Sequence, residues 1–560
     1  MNTSTQEDYV FFPEEKDNTP IVYGSSDGSI YWNTSVGYNT NTSMGYIVGP
    51  DIIIPDSSQI TPKRVIPDII DKYINREVSG NLIYVNSMTK LRDFEIISTN
   101  MKMMLTTTKT FAEQVTTENM TYVIQHTFDM NQSALSELPV VTVPRGVTLE
   151  FTGGGFLKNC ILFGNGAIIK ASKHIFENVH IEGMWDCPGD VEWFSAGTKL
   201  VKNEQYGYIF SSLEDKSTEL QLALDSSFRE LHFPAKYYYI TKPLVLTKEK
   251  KIIIHGSAMK LSLGMTNSGR PNNCVIFSDQ NITLLKIAAS ENYQNSISII
   301  GGNFDVSMCN NYTASCIQIV ADESGQKMWG VNIETNIKGK YNQQSGIGLD
   351  INPTKNTSLT GNVAYITQVR INSNISDFGT GMKAFDYKDK TTNQWYNWCT
   401  DIIIDGCITN CKTAIRTNTD IDIRAMIQAG YFFDSLENGG ALIVYDGERA
   451  TISSNIYDTY QGGNGMYTNQ YALEVIDDKS NVNISGNFAS LWVATKPMKF
   501  PFVKVSGKDA SEQQSSVNCS YIPFSGVCPN SGNCPLYKSL WNSTPAIFAK
   551  RCPFIYTHIN

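Results

Sequence analysis

The sequence predicts an all-β protein whose strands wind into a parallel β-helix, a solenoid, and three observations predict it. A five-residue motif recurs through the second half of the chain. Short apolar strands recur out of phase with that motif. The composition is rich in Asn, Thr, Ser, Ile, Tyr and Gly with only 18% charged residues, which favours pleated structure.

The motif appears as Ile300–Phe304, Ile333–Ile337, Ile371–Ile375, Ile404–Ile408, Ile452–Ile456 and Ile484–Phe488. Start-to-start spacings are 33, 38, 33, 48 and 32, and a degenerate copy at Ile427–Tyr431 divides the longest gap. Periods of about 20 to 50 residues mark solenoids, propellers or arrays. The second set of strands reads SCIQIV (Ser315–Val320), GIGLDI (Gly346–Ile351), GMKAFDY (Gly381–Tyr387), KTAIRT (Lys412–Thr417), GALIVYD (Gly440–Asp446) and YALEVID (Tyr471–Asp477). Each has strand length rather than helix length. Alternation such as Leu442/Val444 and Leu473/Val475 assigns one face to the core. Gly and Asn between strands tolerate left-handed corners.

A leucine-rich repeat lacks its Leu framework here, and propeller blades need more regular spacing. In a parallel β-helix successive coils lie about 4.8 Å apart, so Ile stacks on Ile and Asn on Asn. Variable spacing then measures the loops at the corners. Upstream, Val147–Cys187 cycles apolar strands with Gly and Asn turns, which places first coils over 140–190. STELQLALDSSF carries Leu220, Leu224 and Phe228 at helical spacing, predicting a capping helix over 217–228. A solenoid end must be covered or it pairs with another chain. The main coils follow over 250–495, within a repeat domain spanning 121–500.

The flanks carry no repeat. Residues 1–120 read as a separate small module, and 501–560, rich in Pro, Cys and aromatics, as a compact C-terminal cap or association element. Four of the twelve cysteines lie in that tail (Cys519, Cys528, Cys534, Cys552), where a disulfide knot and reduced thiols are both open; the other eight read as ordinary buried or stacked thiols.

The order VEWFSAGT (Val191–Thr198), amphipathic helix, ELHFPAKYYYI (Glu230–Ile240), then coils with I-x-G-N-F is similar to pectate-lyase-like right-handed β-helix proteins, most of all phage tailspikes and tail fibres. The resemblance covers about Val140 to Phe500. It departs at Lys236, where a Gly commonly precedes the Tyr, and at Glu214-Asp215, a reduced form of the acidic pair before the helix. The resemblance implies an N-terminal virion-attachment module joining other tail proteins, a homotrimer, a location in the phage tail, and host surface polysaccharide as ligand.

Candidate chemistry lies on the coils. Asp434 and Asp458 are 24 residues apart, close to one short coil, and stacked carboxylates so placed suit glycan cleavage. Glu437, Asp446 and Glu448 add acid to the same section, and Asp305, Asp350 and Asp386 form a second set. The competing reading is that such residues cap turns or are solvated. Trp395, Tyr396 and Trp398 lengthen one coil in a polar loop, and Tyr457 and Tyr460 mark a weaker candidate of the same kind. Aromatic faces in exposed loops bind sugar rings, but these could equally fold back over the coil or meet a neighbouring subunit.

Several classes are excluded at this stage. A net charge of −9 argues against nucleic-acid or anionic-membrane binding. The longest aliphatic runs have three residues, too short for membrane insertion, and no secretion signal is visible at the start. Zinc-type spacing, HExxH, P-loop and dinucleotide motifs are missing, so no metal or cofactor is expected. The expected function is a tailspike or tail-fibre protein that binds host polysaccharide, with or without depolymerising it as a hydrolase or lyase. A non-enzymatic structural tail component and a free bacterial polysaccharide lyase or hydrolase are the competing readings.

Overall fold

The computed structural model describes residues 102–489 except 131–136, 204–206, 211, 257–272, 290–293, 322–324, 342, 344, 356–362, 390, 393, 430–440, 455, 458–470, 477–480 and 485–487. Beyond that span it describes only the short strands Ile21–Gly24, Ile30–Asn33, Met44–Val48, Leu82–Asn86, Val503–Val505 and Asn518–Cys519. The protein is all-β, with long parallel sheets and few helices, an arrangement that fits a parallel β-helix. It divides into two compact units: Met1–Pro188 with Ser226–Phe228, and Gly189–Asp225 with Arg229–Asn560.

In the first unit the strand Phe156–Lys170 shows how one coil is made. Its start pairs with Thr127–Asp129, its middle with Val140–Thr142 and its end with Thr148–Phe151, all in parallel. Between those three segments lie Asn159 at φ 55 and Gly166 at φ 66, so the backbone turns a corner at each. The next strand, Phe176–Trp185, repeats the first corner at Asn178, whose amide donates to Asn159 at 2.9 Å, while Asn159 donates to Asp129 at 2.9 Å. Leu157, Leu162 and Ile181 fill the interior.

The second unit stacks the coils predicted by the motif. Backbone pairing aligns Ile299, Ile333, Ile371, Ile404, Ile423, Ile452 and Ile484 in one column. Two motif copies are thereby corrected. Ile299 rather than Ile300 faces Ile333, because one extra residue enters the ladder at Gly301-Gly302. The degenerate copy is Ile423–Ile427, and Ile427 stacks on Ile408 at the far end of the motif.

Asparagine stacks as expected. Asn303, Asn336 and Asn374 are registered, Asn336 donates to Asn303 at 2.7 Å, and Asn374 donates to Asn336 at 3.1 Å. Asn303 closes the ladder on the Cys274 carbonyl at 3.0 Å, so these buried amides are satisfied by one another and the backbone. Corners stack too: Ser296, Gly330, Gln368 and Asp401 share one level of four successive coils, with φ from 54 to 68.

The out-of-phase strands form a second parallel sheet running from Leu244–Leu246 to Val503–Val505. Its column reads Leu285, Ile317, Leu349, Met382, Ile415, Ile443, Leu473. Ile443 and Tyr445 therefore share a level with Leu473 and Val475, and Val444 sits beside Glu474, which corrects the expected Leu442/Val444 face.

The helix runs Ser217–Asp225, three residues shorter than expected, and buries Leu220, Ala223 and Leu224. It packs on Leu244–Leu246, the first strand of that sheet. Gln221 donates to the Val245 carbonyl and accepts from its N–H, both at 2.8 Å, so a side chain occupies the edge that another strand would take. Phe228 lies past the helix and packs with Trp185 inside the first unit.

Candidate functional site

The repeat is interrupted where Tyr387–Lys388 and Trp395–Cys399 form an antiparallel hairpin. The strand Trp395–Cys399 also continues the parallel ladder, pairing Asn397, Trp398 and Cys399 with Ala364, Tyr365 and Ile366. Asp389 holds the turn by accepting the N–H groups of Thr391 and Thr392 at 2.8 and 3.0 Å. Asn397 anchors the other side. Fully buried, it donates to Asn352 at 3.0 Å and to the Thr354 carbonyl at 3.1 Å.

Strand pairing then fixes where the aromatics go. Tyr365 and Trp398 are registered neighbours with ring centres 6.4 Å apart. Trp398 stacks on Trp395 at 6.0 Å, and Tyr365 meets Trp329 of the previous coil at 5.8 Å. The four rings thus cross three successive strands, Trp395 and Trp398 sharing the last, with Trp398 the most open at 44% exposure. The Lys388 ammonium lies over Trp395 at 4.7 Å and the Lys327 ammonium over Tyr365 at 5.6 Å. Tyr396 is turned aside: its hydroxyl donates to Asp389 at 3.4 Å and Lys355 covers its face at 3.7 Å.

An acidic cluster adjoins this row. The Cys399 N–H, next to Trp398, donates to Asp386, and the Asn418 side chain clamps the Asp386 backbone at 2.6 and 2.9 Å. Burial raises the Asp386 carboxyl to about 8, and the negative charges of Asp420 and Glu448 push the same way. Glu448 is exposed and faces Lys388 at 3.6 Å, so one lysine joins the aromatic row to the acids. Asp420 pairs with Arg449. Tyr445 is fully buried; burial raises its phenol, the negative charges of Asp420, Asp386 and Glu448 push the same way, and the Arg449 backbone N–H bonds it in the opposite sense. A cavity of about 490 Å³ opens alongside, lined by Asp401, Asp420, Asp422, Arg449 and the strand residues between them.

Of the acids expected from sequence, Glu448 lies in this cluster and Asp446 is exposed two residues before it. Asp434, Glu437, Asp458 and Tyr460 lie outside the described residues, as does the Tyr457 side chain, although Ile456–Tyr457 is a strand paired with Ile427 and Gln428. In the second set Asp305 and Asp350 are buried within the coils. Asp305 accepts the Ser307 N–H at 2.7 Å as a turn cap, and Asp350 accepts the Ser315 hydroxyl at 2.9 Å. Only Asp386 of that set meets the hairpin. Sequence reasoning missed Trp329, Tyr365, Asp420 and Tyr445. The available signal was an offset, since Tyr365 precedes Ile371 by the same six positions as Trp398 precedes Ile404.

No protein-family model matches this chain, and no curated protein matches it. Among the described residues no helix is long and apolar enough to cross a membrane.

Proposed function

We propose that the chain is a right-handed parallel β-helix of the tailspike or tail-fibre type, which binds extended polysaccharide on a host surface along its aromatic row. The observation that carries this reading is the row of Trp329, Tyr365 and the Trp398–Trp395 pair over three successive strands, capped by two ammonium groups. Coils repeat about every 4.8 Å, so aromatic faces and polar edges recur along the stack and suit a polymer better than a compact ligand. Apolar ring faces against sugar C–H surfaces, with charged and amide groups at the rim, are the expected chemistry of such a site. Virion attachment through residues 1–120 and assembly as a homotrimer rest on the family resemblance.

Retention of bacterial capsular and O-antigen polysaccharides by the full-length protein tests the reading. A retained polysaccharide should bind Trp398→Ala about tenfold more weakly, the cost of losing one aromatic anchor. Equal affinity of wild type and Trp398→Ala, or retention of no polysaccharide by the protein, would overturn it.

A further inference from the structure

We propose that the aromatic row selects acidic polysaccharide, whose sugars carry carboxylates, and that Lys327 and Lys388 at its two ends make the selection. This rests on the glycan-binding reading and deepens it by naming the class of polymer.

Strand order fixes the two ends. The register aligns Lys327, Tyr365 and Trp398 in one column over the strands Lys327–Lys338, Ala364–Ser376 and Trp395–Cys399. The residue after each, Met328, Ile366 and Cys399, is fully buried, so the column itself faces outward. Asn397 pairs with Ala364 on one edge of its strand and with Tyr387 on the other, which sets Tyr387–Lys388 beyond the last of the three. The row therefore begins beside one lysine and finishes on another. Their ammonium groups lie over Tyr365 and Trp395, and that of Lys355 lies over Tyr396 of the same hairpin.

The acids around the row are engaged by the chain's own donors. Asp389 accepts the N–H groups of Thr391 and Thr392, and Asp401 accepts the Thr367 hydroxyl at 2.9 Å. Asp386 accepts the Cys399 N–H and, withdrawn from water, holds its proton to about pH 8. Of these neighbours Glu448 faces a lysine, at 3.6 Å from Lys388 and largely in solvent. An exposed pair of that kind is weak, and a ligand carboxylate can replace it. On a chain of net charge −9, a flank gathering three ammonium groups reverses the local sign.

An ammonium group carries three donors and no acceptor, so its strongest partner is an anionic oxygen. A charge-assisted hydrogen bond to carboxylate is about twice as strong as one to a neutral hydroxyl. Sugar rings lying on the open face of Trp398 would place carboxylates of the flanking units toward Lys327 and Lys388. A neutral polymer makes the same ring contacts and offers those lysines only hydroxyl groups.

The test divides the panel of capsular and O-antigen polysaccharides into uronate-bearing and neutral members and applies the full-length protein to both. Uronate-bearing members should be retained. Reducing the carboxylates of a retained member to hydroxymethyl groups leaves its sugar backbone intact and should weaken binding about tenfold. The double variant Lys327→Gln with Lys388→Gln should weaken the native polymer by a similar factor and bind the reduced polymer as wild type does. Lys327→Arg with Lys388→Arg should preserve both affinities. Retention of neutral members, or equal affinity for native and reduced polymer, would overturn the selection and leave glycan binding standing. A Gln variant that is unchanged, or that weakens both polymers equally, would also overturn it, the latter because the lysines would then only brace the rings. Retention of no polysaccharide would remove both readings.

Discussion

The coils from Ile299 to Ile375 and the hairpin from Asp386 to Cys399 belong to one stack but obey different rules. In the columns that face the core the levels repeat: Ile333 lies on Ile299 and under Ile371, and Asn336 bonds to the amides above and below it. Identical neighbours such as Ile333 and Ile371 bury each other, and what these coils offer a ligand lies off the columns, at Trp329 and Tyr365. At the hairpin the repeat lapses, strand direction reverses, and groups the columns would hide come to the flank: stacked indoles and lysines over rings. Regularity supplies stability, and its interruption supplies chemistry.

The sharpest break in this contrast should come from Ile371→Ala. It opens a cavity in the middle of the Ile column and should cost about 2–5 kcal/mol on chemical denaturation, with affinity for a retained polysaccharide unchanged in the folded fraction. Next comes Asn336→Ala, which strands the Asn303 oxygen and an Asn374 N–H together and should cost about 1–3 kcal/mol. A loss below about 0.5 kcal/mol would contradict the stabilising role of the ladder.

Asp386 sharpens the comparison from the other side. An unfolded aspartate releases its proton near pH 4, and the folded one releases it at about 8. Across that window the folded state binds more protons, so stability falls as pH rises. Asp386→Asn removes this loss, and thermal melting from about pH 5 to about pH 9 should show a shallower decline than in wild type. Parallel declines would show that Asp386 ionises freely.

The coils were legible because column residues announce themselves. Ile and Asn recur at fixed offsets, since each must fit the same backbone niche one coil later. Ile300 was misplaced by one because a bulge at Gly301-Gly302 leaves no mark in an apolar pattern. The helix ran three residues too far because Phe228 keeps helical spacing while packing elsewhere. The site was half visible. Trp395, Tyr396 and Trp398 stood out as aromatics in a polar loop, yet only the parallel pairing of their strand shows that Trp398 joins Tyr365, and only the folded turn shows that Tyr396 reaches Asp389. Asp386 looked like Asp305 and Asp350 in sequence. What separates it is its bond to the Cys399 N–H of a hairpin whose strands pair across an excursion, and local spacing carries no trace of that.

Amide hydrogen exchange with and without a retained polysaccharide is the most direct test. The strands Lys327–Lys338 and Ala364–Ser376 should exchange slowly in both states except around Trp329 and Tyr365, while Tyr387–Lys388 and Trp395–Cys399 should exchange faster when free and slow markedly when polysaccharide is added. Protection arising only in other segments, with that polymer demonstrably bound, would contradict the assignment of the binding flank.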